Sequence, residues 1–394
     1  MVHLLLVIIY LAFISLGLPD ALLGAAWPTM QGQLGVDYAY AGYLSIISSA
    51  GTILSSIFSD RLTRRFGVGK VTAFSVLMTA IALIGFARSN HYLHLALWAI
   101  PYGMGAGSVD VGLNNYVAVH YKSHHMSWLH FMWGIGASIG PWLMGLVLTN
   151  QLGWPMGYWW VAFIQFGLTG LLFVTLPLWH KVDALKGGDS AAPIESGPLT
   201  FKKVASLAQV KDVWLTFFAY SAFEVTAALW ASSYFVLAKG LTDSQAASFA
   251  GLFYLGITLG RGVAGFMTFR YSDKSMIRLG LTIIALGIIS LALPIAGANH
   301  AILGFVLMGL GCAPIYPSVL HMIPGHFGRD KSQAIIGYQM AFSYSGSLLM
   351  PSLFGWLMGR LSVQLLPYYL ALFLILMVFN LGRFLSASSQ GYYR

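Results

Sequence analysis

Three carboxylic acids lie well inside long apolar stretches of this sequence, and they are the residues best suited to chemistry. They are Asp20, Asp110 and Glu224, out of only 12 acidic residues in 394. A charge at the centre of a lipid bilayer costs about 2.5–3.5 kcal/mol on insertion scales, so an acid placed there is a functional candidate. Burial also disfavours the ionised form of a carboxyl and favours proton uptake. The sequence therefore predicts proton coupling at these acids. A structural carboxyl bonded to a neighbouring helix is the alternative.

Helical spacing groups further polar side chains around these acids. Asp110 and Asn114 are four residues apart and share one helix face, and an Asn amide both donates to and accepts from hydroxyl groups. His130 and Trp133, three residues apart, share another face, and histidine can relay protons near neutral pH. An interhelical hydrogen bond or simple packing is the alternative for each. The predicted substrate-binding residues are Asn114, His130, Trp133, Trp27, Tyr316 and Gln339.

The elements that must position these residues are membrane-spanning helices. The chain is 58% hydrophobic and 8% charged, whereas an ordinary globular domain is about 25% charged. A spanning helix needs about 20 mostly apolar residues. The sequence therefore predicts an all-α membrane protein with twelve transmembrane helices. They fall near residues 4–30, 38–60, 69–88, 92–120, 126–150, 157–180, 211–238, 245–270, 275–297, 300–325, 332–358 and 363–385.

A polar segment divides these twelve stretches into six and six. Residues 181–210 are rich in Gly, Ser, Pro and charged side chains, which are typical of a connecting loop. We therefore predict an N-terminal six-helix bundle over residues 1–180, a cytoplasmic linker over 181–210 and a C-terminal six-helix bundle over 211–394.

The basic residues predict how the chain is oriented. With the N-terminus inside, 17 of the 21 Lys and Arg residues fall in cytoplasmic segments. Arg88, Lys239 and Arg360 fall in outer loops. Arg261 lies inside a helix, where it either pairs with an acid such as Glu224 or extends to the cytoplasmic side. Because cytoplasmic loops carry an excess of basic residues, both termini of this multi-pass cell-membrane protein are predicted to be cytoplasmic.

The two halves carry a weak internal repeat. Residues 136–145 (GASIGPWLMG) and 346–355 (GSLLMPSLFG) share Gly, Pro and Gly at an offset of 210. Residues 103–105 (GMG) and 309–311 (GLG) match at an offset of 206. Two matches in corresponding helices indicate duplicated halves, which is how many secondary transporters are built.

Six plus six helices, with a basic loop between the second and third, resemble the major facilitator superfamily. Its signature in that loop is Gly-x-x-x-Asp-Arg-x-Gly-Arg-Arg. Residues 56–65 here (SIFSDRLTRR) keep the acid and the three arginines, with Ser and Thr in place of the glycines. The resemblance implies two pseudo-symmetric bundles and a cytoplasmic latch that biases inward against outward states. The latch residues would be Asp60, Arg61, Arg64 and Arg65.

Within the superfamily, the chain is most similar to the fucose permease group of sugar–proton symporters. The similar residues are 18–20 (LPD), Asp110 followed by Asn at 114 and 115, and 313–317 (APIYP). The group usually has Glu where this chain has Asp110. The resemblance implies proton-coupled uptake of a small sugar-like molecule by a monomer that alternates its access. Its partners would be the solute, protons and the lipid bilayer, without nucleic acid.

Other function classes find no support in the sequence. The single cysteine, Cys312, excludes an intramolecular disulfide and a multi-cysteine metal site. No Walker lysine motif is present, which argues against an ATP-driven pump. No catalytic constellation appears, so we predict no enzyme, no cofactor and no metal.

An exporter remains the rival interpretation. The run Gly136-x-x-x-Gly140-Pro141-x-x-Met144-Gly145 partly resembles the helix-five signature of antiporters in the superfamily. Small residues with proline also permit close, bent helix packing without any such role. A proton-linked efflux carrier for drugs or amphiphiles is therefore the alternative function, and a cavity lined mainly by aromatic and Met side chains would favour it.

Overall fold

A computed structural model describes residues 2–20, 22–36, 40–186, 199–241, 243–295 and 297–390. These residues form fifteen α-helices and one short 3₁₀ helix, Val363–Leu365, and contain no strand. The first eight helices are α1 Val2–Asp20, α2 Leu22–Leu34, α3 Tyr40–Phe66, α4 Val68–Ala87, α5 Tyr92–His120, α6 Ser123–Thr149, α7 Trp154–Val174 and α8 Leu176–Lys186. The others are α9 Phe201–Ala205, α10 Val210–Lys239, α11 Asp243–Met267, α12 Asp273–Ala292, α13 Asn299–Phe327, α14 Arg329–Arg360 and α15 Leu366–Gln390.

Twelve helical passes account for most of this structure. α1 and α2 together make the first pass, α3 to α7 the next five, and α10 to α15 the last six. Among the described residues, nine passes are long and apolar enough to cross a membrane on length and composition alone. The other three passes are α5, α11 and α14, of which α11 contains a shorter apolar stretch, Gly251–Met267. The predicted all-α membrane fold is confirmed.

The connection between the second and third passes is a single residue and not a basic loop. α3 continues to Phe66 and α4 begins at Val68. Gly67 joins them with a φ of 81°, a left-handed conformation that glycine adopts without a Cβ penalty. The loop predicted between the helices near 38–60 and 69–88 is therefore wrong, because Arg61, Arg64 and Arg65 of the signature lie in the last turns of α3.

The segment predicted as a linker is partly helical. α8 runs on to Lys186, and the short helix α9 follows Thr200. Residues 187–198 of the predicted linker lie outside the described residues.

Close contacts divide the chain into two compact units. The first comprises Met1–His120 and Leu129–Leu199, and the second comprises Tyr121–Trp128 and Thr200–Arg394. In the first unit α5 packs against α3 and α4, and in the second α13 packs against α11 and α12. Corresponding passes therefore meet in both units.

The glycines of the internal repeat make equivalent contacts. A Cβ added at Gly103 would overlap the carbonyl oxygen of Ser48, and one added at Gly309 would overlap that of Phe253. Ser48 and Phe253 are 205 residues apart, almost the same offset as the glycines. The repeat thus preserves places where helix backbones touch, as small residues permit in membranes.

A second set of small residues brings α1 against α6 in the first unit. A Cβ at Gly17 would overlap the carbonyl oxygen of Trp133, and a Cβ at Gly136 would overlap that of Ile14. Gly140 meets the carbonyl oxygen of Leu18 in the same way. The two helices therefore approach at backbone distance, which only glycine allows.

We expect Gly136→Ala to destabilise the protein, because the new methyl group has no space beside Ile14. Overpacking of this kind costs about 1–3 kcal/mol. Gly145→Ala is the matched control on the same helix, since a Cβ at Gly145 meets no atom within 4 Å. Thermal unfolding of both purified variants in detergent would measure the effect. Equal melting temperatures for the two variants would show that α1 and α6 are not in close contact.

Candidate functional site

Asp20 accepts two hydrogen bonds from neutral donors in the first unit. The Tyr102 hydroxyl donates to Asp20 Oδ1 over 2.8 Å, and the Trp133 indole Nε1 donates to Asp20 Oδ2 over 2.9 Å. The carboxyl ends α1 just after Pro19 and is exposed, although it lies near the middle of the first pass. An exposed acid at this depth indicates a polar opening rather than contact with lipid.

The close packing of α1 and α6 explains why Trp133 reaches this acid. Gly17 sits against the Trp133 backbone, one turn before Asp20. Because residues three or four apart lie on one helix face, Gly17 and Asp20 both point towards α6. The small residue therefore sets the distance at which the indole meets the carboxylate.

Asp110 and Asn114 form the shared face that their spacing predicts. Asn114 Nδ2 donates to Asp110 Oδ1 over 2.8 Å and to the Asp110 carbonyl oxygen over 2.9 Å. The Asn114 side chain is fully buried, and its Oδ1 has no hydrogen-bond partner in the described structure. A buried acceptor left unbonded costs about 1–3 kcal/mol. Asn114 Oδ1 is therefore a buried acceptor with the capacity for one more hydrogen bond.

His130 and Trp27 lie in packed surroundings. The His130 ring is buried and meets Phe13 edge-on at 5.8 Å between ring centres. Trp27 is buried in an apolar cluster that includes Met30 and Met144. Both remain predicted substrate contacts, and neither is open to solvent in this structure.

The second unit holds a buried pair of opposite charges. Arg261 on α11 and Glu224 on α10 approach to 3.9 Å between Nη2 and Oε1, so pairing is observed for Arg261. This distance exceeds the 2.7–2.9 Å typical of a hydrogen-bonded pair. Tyr220, one turn before the acid, stands beside both charges and donates its hydroxyl to the Cys312 carbonyl oxygen over 3.1 Å.

The remaining predicted contacts of the second unit lie around Met340. The Tyr316 hydroxyl is 3.1 Å from Met340 Sδ, and the Gln339 amide nitrogen is 3.9 Å from the same sulfur. Tyr316 also meets the Phe217 and Tyr220 rings, with centres 4.8 and 5.4 Å apart. Gln339 is fully buried, and its Oε1 has no partner among the described residues.

The predicted latch residues make contacts within the first unit. Asp60 is buried, and its Oδ1 pairs with Arg64 Nε at 2.8 Å, while its Oδ2 accepts from the backbone N–H of Leu199 over 3.4 Å. Arg61 and Arg65 stack on phenylalanine rings of their own helix. The acid of the signature is thus bound both to its helix and to the end of the polar segment between the bundles.

Two polar groupings have no counterpart in the sequence predictions. One is the Tyr102 contact with Asp20, whose partners are 82 residues apart. The other is Asp273, which accepts from Ser123 and contacts His321 Nδ1 at 2.7 Å. Contacts across such separations follow from tertiary packing, and no short-range pattern signals them.

Comparison with known proteins identifies relatives along the whole chain. A family model described as the Major Facilitator Superfamily matches residues 9–293 and 213–389. An uncharacterized transporter of Sinorhizobium fredii is 25% identical over 362 residues, covering 88% of this chain and 89% of that protein. Bypass of stop codon protein 6 of Saccharomyces cerevisiae is 21% identical over 391 residues, covering 90% of this chain and 77% of that protein.

Solved structures show the same fold at low sequence identity. The proton:xylose symporter XylE has a TM-score of 0.78 at 12% identity and covers 95% of this chain and 94% of its own. The Escherichia coli fucose:proton symporter FucP has a TM-score of 0.71 at 14% identity, covering 96% and 98%. A human organic anion transporter has a TM-score of 0.73 at 15% identity, covering 95% and 98%.

We expect Arg261→Met to destabilise the protein and the added change Glu224→Gln to restore part of the loss. Removing one partner of a buried ion pair costs on the order of 3 kcal/mol, because the other charge is left uncompensated. Melting temperatures of both single variants and the double variant would measure the coupling. Arg270→Met, at an exposed arginine, is the control. Additive effects at Glu224 and Arg261 would show that the two charges do not interact.

Proposed function

This chain belongs to the Major Facilitator Superfamily. We propose that it is a proton-coupled secondary transporter that moves a small polar solute by alternating access, and that this solute is a sugar. The family and its transporter relatives make it a multi-pass membrane transporter and not an enzyme. What the proposal adds is the coupling ion, the substrate class and the residues that serve them.

The observation that carries the proposal is the pair of acids in the first unit. Asp20 is exposed near the middle of the first pass. The two groups that donate hydrogen bonds to it among the described residues, the Tyr102 hydroxyl and the Trp133 indole, are both neutral. Asp110 is half-buried, and its carboxylate accepts a hydrogen bond from the Asn114 amide. Neither acid is recorded in an ion pair within the described residues. A carboxyl so placed can change its protonation without leaving an opposite charge behind.

Polar groups beside these acids suit a sugar. The unbonded Oδ1 of Asn114 accepts a hydroxyl, and the Trp133 ring offers an apolar face near the acid to which its nitrogen donates. In the second unit the proposal adds Tyr316 and Gln339 as substrate contacts, and Glu224 as a third acid for proton coupling. Two neighbours of the same fold, XylE and FucP, are described as proton symporters of xylose and fucose, which supports a sugar as the solute.

The proposed cycle uses the proton gradient. Proton binding at Asp20 or Asp110 would neutralise the site and permit reorientation with substrate bound. Moving one charge across the membrane is worth about 2.3 kcal/mol per 100 mV. Asp60 and the arginines of α3 would bias the inward against the outward state from the cytoplasmic side. We also propose that the working unit is a monomer with both termini in the cytoplasm.

A proton-linked exporter of amphiphiles is the second candidate. The polar residues of the second unit are surrounded by aromatic and sulfur-containing side chains, namely Phe217, Tyr220, Tyr316 and Met340, which suit an apolar ligand. Gly136 and Gly140 of the antiporter-like run bring α6 against α1, so their packing role accounts for these two glycines without export.

We expect a monosaccharide to drive proton uptake into proteoliposomes that contain the purified protein. With a pH dye outside the vesicles, addition of the transported sugar should make the external medium alkaline. Asp20→Asn or Asp110→Asn should abolish that signal, because neither amide can carry a proton. Asp330→Asn is the control, since Asp330 is an exposed acid and its change should leave the signal intact.

Silence across a panel of monosaccharides, with folded and correctly inserted protein, would reject the sugar symport. A proton signal driven instead by an amphiphilic dye in the same vesicles would establish the exporter. Substrate uptake without proton movement would leave a transporter coupled to another ion or to none.

We expect Asn114→Ala to weaken substrate binding about tenfold, since one hydrogen bond to the substrate is lost and tenfold corresponds to about 1.4 kcal/mol. Asn115→Ala, one residue along the same helix on a neighbouring face, should change it less than about twofold, within the ±0.5 kcal/mol of a change away from the site. The half-saturation concentration for uptake of the sugar found above would measure both. A larger effect at Asn115 than at Asn114 would place the sugar on the other face of α5.

A further inference from the structure

A groove of about 480 Å³ lies in the second unit, where the connection before α10 meets the end of α15. Its lining residues include none of the predicted proton-coupling acids and none of the predicted substrate contacts. The α10 and α15 spans, Val210–Lys239 and Val363–Ser386, both reach the groove near one of their ends. It therefore lies at the level where a membrane protein meets lipid headgroups. Its lining includes Ser206, Gln209, Lys211, Asp212, Asn380 and Arg383.

Two cations and one acid set the charge of this groove. Lys211 is exposed, and the Arg383 side chain is 61% exposed. Asp212 is buried and holds Arg383 Nε at 3.4 Å. A guanidinium carries five N–H donors, so an approach of Asp212 at Nε does not use the donors of the two terminal nitrogens. The short helix α9 adds Lys202 and Lys203, both exposed, so positive charge exceeds negative charge here.

The other wall of the groove is apolar. Leu215 lies one turn further along α10 than Lys211, and Phe379 lies one turn before Arg383 on α15. Both line the groove and are exposed, Leu215 by 46% and Phe379 by 61%. Because these faces belong to spanning helices, exposed apolar side chains on them contact acyl chains. Each helix thus presents a basic residue and an apolar residue on one face, in the order of a lipid's headgroup and tail.

We propose that this groove binds an anionic phospholipid, with its phosphate between Lys211 and Arg383 and an acyl chain along Leu215 and Phe379. Charge complementarity selects an anionic headgroup, as basic pockets between spanning helices do. Gln209 supplies a side-chain amide for the rest of the headgroup, whereas the Ser206 hydroxyl and the Asn380 amide nitrogen already donate to backbone carbonyl oxygens. The proposal does not depend on the substrate or the coupling ion of the transporter.

The test is a titration of the purified full chain in neutral detergent, followed by native mass spectrometry. The probes are dioleoyl phosphatidylglycerol, dioleoyl phosphatidylcholine and soluble glycerol 3-phosphate. We expect one molecule of phosphatidylglycerol to bind at a much lower lipid concentration than phosphatidylcholine does. Lys211→Gln with Arg383→Gln should weaken that binding about tenfold, since each basic residue near an anionic lipid surface contributes separately. Arg270→Gln with Arg278→Gln, which removes the same charge from two exposed arginines, should leave it unchanged.

Two further variants keep the test informative if loss of the Arg383 partner disturbs Asp212. Lys211→Gln alone leaves the Arg383–Asp212 pair intact and should weaken phosphatidylglycerol binding about threefold. Leu215→Ser should weaken lipid binding through the apolar wall and leave the contact of Arg383 with the Phe379 ring in place. Equal binding of both lipids, or equal loss in the control variant, would overturn the proposal. Binding of glycerol 3-phosphate as tight as that of phosphatidylglycerol would also overturn it, because the site would then take a soluble phosphate.

Discussion

The absence of water in the bilayer core is the constraint on which the rest of this structure depends. Every backbone N–H and C=O in that region needs a partner inside the protein, and helices provide it within one segment. Helices then associate through small residues, because lipid gives them no hydrophobic reason to meet. Gly17 and Gly136 are the local result, and the contact they permit between α1 and α6 brings Trp133 to Asp20.

Ionisable side chains also need partners inside the protein where water is absent, and the acids of the two units have different partners. Asp20 is bonded to a phenol and an indole, which stay neutral whatever the acid does. Glu224 faces Arg261, and a proton on Glu224 would remove the negative neighbour of a buried cation, which is costly. This difference favours Asp20 over Glu224 as the group that exchanges protons, and gives Glu224 a role in holding Arg261 in place.

The sequence predicts well those features that depend on the residues of a single helix. The passes follow from apolar length, and the Asp110–Asn114 contact follows from a spacing of four. The partner of Asp20 on α5 was not predictable, because 82 residues separate Tyr102 from it and only packing joins them. The end of α3 was predicted too early because its arginines resemble a polar loop in composition. In the structure the helix continues without interruption to Phe66, just before Gly67.

The internal repeat shows which features duplication preserves. Gly103 and Gly309 make equivalent contacts in the two units. At each position the backbone of a neighbouring helix lies so close that a side chain would not fit. At the offset of 206 residues, Asp110 and Asn114 of α5 correspond to Tyr316 and Leu320 of α13, so the polar groups of the two passes differ. Packing sites are therefore held by sterics in both halves, whereas ionisable groups are free to specialise. Backbone packing is thus the property that duplication preserves, and side-chain chemistry is where the two halves diverge.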